Sequence, residues 1–187
     1  MYEQKNHYIL FQASISRTNI VLTINEIEKH QSSNVTLMIH TAGGKSIEAF
    51  HFYNYVQSKK INLTTYNLSF IGSAGVDLFL CGEKRICSPF SSFMFHESSW
   101  AINQSLTIRE MLEYIETDKT ALSIKREFCK QRGGDLCAQS IEEWSKKDTT
   151  VSPQMALDTG LCTEINQITL PNETILSTIQ SRDFGES

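Results

Sequence analysis

The sequence predicts an α/β domain, on three observations. Short apolar runs of strand length alternate with stretches whose apolar residues recur at helical spacing. A Gly-Ser pair stands where one such run passes into a helix, and one helical stripe, Gln104 to Gln131, outruns all the others. With 187 residues, 40% of them hydrophobic and 20% charged, the chain suits a single globular domain, 1–187, with a sizeable core.

The elements follow in order. Tyr8-Ile9-Leu10-Phe11 reads as a first buried strand. Ile20, Ile24 and Ile27 then mark a helix capped by Thr18 or Asn19 that frays near 30–33. Val35 to Ile39 is a second strand, followed by a helix bearing Ile47, Phe50 and Tyr53. A third strand, Ile61 to Tyr66, leads through Asn67 and Leu68 into the stretch Ser69 to His96, around which the chain is organised. There a strand ends near Ile71, Gly72 and Ser73 open a short apolar helix (Val76, Leu78, Phe79, Leu80), and Cys81-Gly82 closes it. Strands through Arg85-Ile86-Cys87 and Phe93-Met94-Phe95 follow, the second ending in His96.

The stripe from 104 to 131 carries Ile108, Met111, Leu112, Ile115 and Leu122 with charged residues outside it. Arg132-Gly133-Gly134-Asp135 terminates it, with Gly133 or Gly134 as a left-handed cap. Ser140 to Lys146 is a short helix carrying Trp144, and Ser152 with Pro153 starts another over Gln154 to Asp158 that Gly160 ends. Cys162 to Leu170 reads as a last strand, Pro171 to Ile179 as a terminal helix and 181–187 as a polar tail.

Composition excludes several classes. The net charge of −4 argues against a general nucleic-acid binder, which usually carries a basic patch. Five scattered cysteines with no CxxC pair argue against a disulfide framework or a zinc site, and favour reduced thiols in the cytoplasm. The opening MYEQKNHYILFQ has no basic segment followed by a long apolar stretch, and no run approaches the roughly 18 apolar residues of a membrane span, so neither a leader nor a membrane span is expected. With no phosphate-binding loop and no metal-ligand cluster, no cofactor and no metal are expected.

Candidate chemistry gathers around Ser73. A serine at a helix N-terminus is commonly a cap, but its hydroxyl also lies where free N–H groups stabilise developing negative charge. The stretch lacks the GxSxG elbow, because Ile71 stands where the first glycine belongs, and this argues against an α/β-hydrolase. Gly43-Gly44 sits between the second strand and its helix, where paired glycines let the backbone turn and bring an N–H close to a substrate. His96 competes with four other histidines, most seriously with His40 beside that glycine pair. Asp77, one turn after Ser73, could share its face.

Ser73, the Gly82 to Pro89 link, the Met94-Phe95-His96 run and the SPQMALDTGL segment resemble the proteolytic subunit of the Clp protease, within the ClpP/crotonase superfamily, in order over roughly 7–168. The resemblance implies a fold of repeated strand-strand-helix units with a protruding handle helix at about 104–132. It also implies a serine endopeptidase that hydrolyses unfolded polypeptide, with Ser73 as nucleophile, His96 as general base, Asp148 as orienting acid and the Gly43 and Ala74 amides as oxyanion hole. Asp118, Asp135 and Asp158 are the alternative acids. A homo-oligomeric ring is implied as well, with an unfoldase ATPase as partner, although the first strand is expected almost immediately after Met1, where the family carries the entrance loops that help engage the ATPase, and the residues themselves do not support that partnership. Ala42 replaces the usual proline before the glycine pair, and Glu97-Ser98-Ser99 follows His96 in place of Gln-Pro, which bears on substrate preference. Three alternatives stand beside this reading: an inactive assembly subunit, a crotonase-type acyl-CoA enzyme, and a Ser-Lys dyad using Lys119 or Lys125.

Overall fold

A computed structural model describes residues 6–97, 105, 107–172 and 174–180, without the side chains of Tyr114 and Asp118. Strands β1 (His7–Gln12), β2 (Asn34–Thr41) and β3 (Asn62–Gly72) are joined through helices α1 (Arg17–Lys29) and α2 (Ser46–Lys59). After β3 come α3 (Gly75–Leu80), β4 (Lys84–Cys87), β5 (Ser92–Met94), α4 (Ile108–Ser145), β6 (Thr150–Val151), α5 (Pro153–Asp158), β7 (Glu164–Ile165) and β8 (Ile175–Gln180). The sheet runs β6-β5-β3-β2-β1-β8, with β4 and β7 branching from β3. Every pairing is parallel except β5 with β6.

Strand alternation sorts the core into two faces. Ile9, Phe11, Leu37, Ile39 and Leu63 enter the main cluster with Phe52 of α2 and Phe79 of α3. On the other face, Leu10, Met38, Tyr66 and Ile86 form one row across four strands, each opposite the next in register. Burial on both sides explains why these strands read as nearly unbroken apolar runs.

The third strand is longer than expected and changes partner along its length. Thr64 to Asn67 pair with β4, and Phe70 to Gly72 pair with β5. Asn67 fastens the fork: its backbone carbonyl accepts from the Ser88 N–H (3.1 Å), and its side-chain amide donates to Ser92 O (3.0 Å).

Several expectations need correction. The segment predicted as a terminal helix is β8, seated parallel to β1 with Ile9 opposite Ser177. Ser177 and Ile179 are buried while Leu176, Thr178 and Gln180 are exposed, a period of two. The strand predicted over 162–170 reduces to the two-residue β7. By contrast, the long helix does end where expected: Gly134, with φ 86° and ψ 176°, is non-helical, and a second helical stretch runs from there to Ser145, folding back so that Glu142 pairs with Arg126 (3.8 Å). Its expected start at 104 lies outside the described residues, as does the tail 181–187, and the described helix opens at Ile108 with a Thr107–Glu110 capping box. Ser16, not Thr18 or Asn19, caps α1. Ile47 is 66% exposed, so α2 packs through Ala49, Phe52 and Val56.

All five cysteines are free and buried. Among the described residues no helix is long and apolar enough to cross a membrane.

These burial differences predict that Phe11→Ala lowers the unfolding free energy by about 3–5 kcal/mol, whereas Ile47→Ala changes it by less than about 0.5 kcal/mol, both measured by urea denaturation.

Candidate functional site

The site forms where β2, β3 and β5 end. Gly72 closes β3, and Ser73 turns the chain into α3 with φ 50°, a left-handed conformation that costs a non-glycine residue about 1 kcal/mol. Two hydrogen bonds hold the turn: Ser73 N–H to Met94 O (2.9 Å) and Val76 N–H to Ser73 O (3.1 Å). The Ala74 N–H that follows donates to no partner among the described residues.

Gly43 crosses directly over this turn. A Cβ built on it would lie 2.7 Å from Ser73 Cβ and 2.9 Å from Gly72 O, and its φ is 119°, so both space and conformation require glycine. Its N–H donates to Thr41 Oγ1 (3.1 Å), and that hydroxyl donates in turn to Ala13 O (2.7 Å). The paired amides expected for an oxyanion hole therefore differ here, the Ala74 N–H being open and the Gly43 N–H engaged.

His96 and Asp148 arrive on neighbouring strands. His96 lies two residues beyond β5, which runs parallel to β3, so both chains end on the same side of the sheet. β6 runs antiparallel to β5 and therefore begins where β5 ends; Phe95 N–H donates to Thr149 O (3.0 Å), which draws Asp148 to the same edge. The backbone thus gathers Ser73, His96 and Asp148 at one end of three adjacent strands.

Their side chains are not linked to one another. His96 Nδ1–H donates to Glu97 O (2.8 Å), Asp148 is exposed with φ 47°, and no hydrogen bond joins Ser73, His96 and Asp148. With its proton on Nδ1, a neutral His96 keeps Nε2 as its basic nitrogen, the tautomer a general base requires. The competitor His40 instead hydrogen-bonds Ser69 Oγ (2.7 Å) and packs edge-on against Phe70. Asp135 pairs with Lys130 and Asp158 with Gln154, while the Asp118 side chain lies outside the described atoms.

Asp77 is fully buried. Its Oδ2 accepts from Ser46 Oγ (2.6 Å) and pairs with Lys125 Nζ of α4 (3.4 Å). Burial works against the Lys125 charge, but the opposing contributions, led by the attraction of Asp77 and including its hydrogen bond, together hold the pKa above the ordinary lysine value. A lysine so placed stays protonated and is unsuited to be the base of a Ser-Lys dyad. Burial pushes the Cys81 and Cys129 thiols up as well, and Cys137 to about 11, so these three are neutral and poor nucleophiles. A cavity of about 500 Å³ opens beside His96, with Leu122, Lys125, Cys129 and Ile141 of α4 in its wall.

One group of metal-ligating type exists among the described residues, at the opposite end of the sheet: His7, Glu26 and His30, with ligand atoms within 4.8 Å of one another. Ligands about 2.0 Å from a zinc ion would stand roughly 3.3 Å apart, and both His7 nitrogens are engaged, Nδ1 with Ser32 Oγ (2.9 Å) and Nε2 with Ser177 Oγ (2.8 Å). Since Ser177 Oγ donates to Glu26 (2.8 Å), Nε2 must be the donor and Nδ1 the acceptor, a closed relay for a neutral imidazole. It ties β1 to α1 and β8.

Residues 8–169 match the family model described as Clp protease. Among solved structures, a point mutant of ClpP1 from Listeria monocytogenes superposes with a TM-score of 0.70 at 18% sequence identity, over 89% of this chain and 93% of that one. No curated protein matches the chain in sequence.

Burial, then the nearby His30, lowers the His7 pKa below its ordinary 6.5, with Glu26 opposing. The neutral ring therefore contributes stability that is complete above pH 6.5 and is lost as the pH falls through the lowered value. Urea titrations on either side of that range are expected to show this loss in the wild type and to show it reduced in His7→Gln.

Proposed function

Because the chain belongs to the Clp protease family, we propose that it is a serine endopeptidase acting on unfolded polypeptide, with Ser73 as nucleophile, His96 as general base and Asp148 as the acid that orients it. One observation carries this reading: a serine in a left-handed strand-to-helix turn, with a histidine and an aspartate delivered beside it by the next two strands of the sheet.

In the proposed reaction, Ser73 Oγ attacks the peptide carbonyl while His96 Nε2 takes its proton. The carbonyl π-electrons move onto oxygen, which the Ala74 N–H meets, and the Gly43 N–H joins it once released from Thr41. Collapse of the intermediate breaks the C–N bond, with His96 returning its proton to the leaving amine. Water, deprotonated by His96, then cleaves the acyl-enzyme and restores Ser73. For Asp148 to take part, His96 Nδ1–H must leave Glu97 O and turn to the carboxylate. The cavity beside His96 is the natural place for a substrate side chain.

The exposed stripe on α4, with Ile108, Met111, Leu112 and Ile115, is left uncovered by the described residues and is suited to pack against other copies. We read the part of α4 before Gly134 as the handle of an oligomeric ring. A cytoplasmic location and engagement of an unfoldase ATPase extend the same reading, and the ATPase rests on the family alone.

A second reading, an inactive assembly subunit that keeps the fold and the handle, is favoured by the His96–Glu97 and Gly43–Thr41 hydrogen bonds, both of which take up groups that catalysis needs. The acyl-CoA alternative gains no support from a match to the protease family.

Degradation of an unfolded protein such as casein separates the two. The peptidase reading expects turnover by the wild type and a loss of roughly a thousandfold or more in Ser73→Ala and in His96→Ala; a folded wild type with no turnover favours the assembly subunit. In sedimentation velocity the wild type should run as an oligomer and Leu112→Asp as a smaller species. A wild type that sediments as a monomer removes the ring.

A further inference from the structure

The Asp77 carboxylate lies at the meeting point of three segments. It belongs to α3, the helix that Ser73 opens; Ser46, which donates to it, is the first residue of α2 and stands three positions after Gly43; and Lys125 reaches it from α4. The carboxylate is fully buried, and its Oδ1 has no hydrogen-bond partner. Lys125, 24% exposed, is the cation paired with it among the described residues. A second grip lies seven residues further along α4, where Arg132 donates to Leu80 O (2.9 Å) and Gly82 O (2.8 Å) at the other end of α3. Seven residues are two helical turns, so one face of α4 holds α3 at both ends.

We propose that Lys125 is a positioning residue: by pairing with the buried Asp77, it lets one carboxylate clamp the glycine-pair loop, through Ser46, to the nucleophile turn, so that the Gly43–Ala74 amide geometry depends on where α4 lies. The role of those amides rests on the peptidase reading, whereas the clamp does not.

The charge logic is specific. Removing Lys125 leaves an uncompensated carboxylate in an apolar site, which such a site disfavours until the group takes up a proton. Other groups facing Asp77 do not replace the cation. Ser46 is uncharged, and the Cys81 and Cys129 thiols are held neutral by burial. Arg132 is committed to Leu80, Gly82 and Glu83. The defect should therefore appear at high pH, fade on acidification and disappear when residue 77 is made neutral.

Hydrogen–deuterium exchange on the full chain tests this, with wild type, Lys125→Met, Asp77→Asn and the double variant compared at about pH 8 and about pH 6 after correction for intrinsic rates. Lys125→Met should lose protection about tenfold or more over both 43–48 and 73–80 at the higher pH and regain it at the lower. The double variant, which keeps an acceptor for Ser46, should be protected at both. Should Lys125→Met fail to fold at the higher pH, folding at the lower pH is the same signature. An unchanged Lys125→Met, or a double variant no better than the single at either pH, overturns the proposal. Casein turnover by the four proteins should fall and recover in the same order; a wild type that shows the exchange pattern without turnover upholds the clamp and counts against the peptidase reading alone.

Discussion

The candidate site depends on a single change of partner in the sheet. β3 pairs with β4 as far as Asn67 and with β5 from Phe70, so its last residues leave one neighbour and join another. This brings the end of β5 beside the end of β3, and the antiparallel β6 then adds the loop that carries Asp148. Without the fork, His96 would follow a strand that does not touch Gly72. The buried Asn67 side chain spans the fork by donating its amide to Ser92 O, while its Oδ1 has no hydrogen-bond partner among the described residues.

Buried charge is used sparingly, and each instance fastens a loop or helix end. Arg85 donates to the carbonyls of Gly82, Gly160 and Leu161, holding the turn after α5 against β4. Arg132 does the same for the end of α3 while its guanidinium lies 5.4 Å from the centre of the Tyr53 ring. Among the described residues, Asp77 with Lys125 is the ion pair that anchors α3, the helix opened by the nucleophile turn. It answers the question that a carboxylate one turn after Ser73 raises, because this carboxylate is fixed by Ser46 and Lys125 rather than free to oppose an oxyanion.

Much of this was legible in the sequence because it is local. The apolar runs of β1 to β3, the Gly72-Ser73 turn, the Ser152-Pro153 helix start and the strand-end His96 all follow from short-range pattern, and the resemblance selected among the histidines. The misses have physical reasons. Ile175 and Ile179 stand four apart, a spacing that fits a helix face and a strand face alike, and only the vacant edge of β1 decides for β8. Pairing of Asp77 with Lys125 across 48 positions has no local signature at all, and neither has the capture of the Gly43 N–H by a hydroxyl two residues earlier.

The central claim is that the Ser73 turn makes an activated nucleophile. Its most direct measurement is intact mass and peptide mapping after treatment with a fluorophosphonate probe. The account predicts one adduct per chain, mapped to Ser73, on the wild type and none on His96→Ala. A folded, assembled wild type that takes no adduct, or an adduct that maps to another residue, would contradict it.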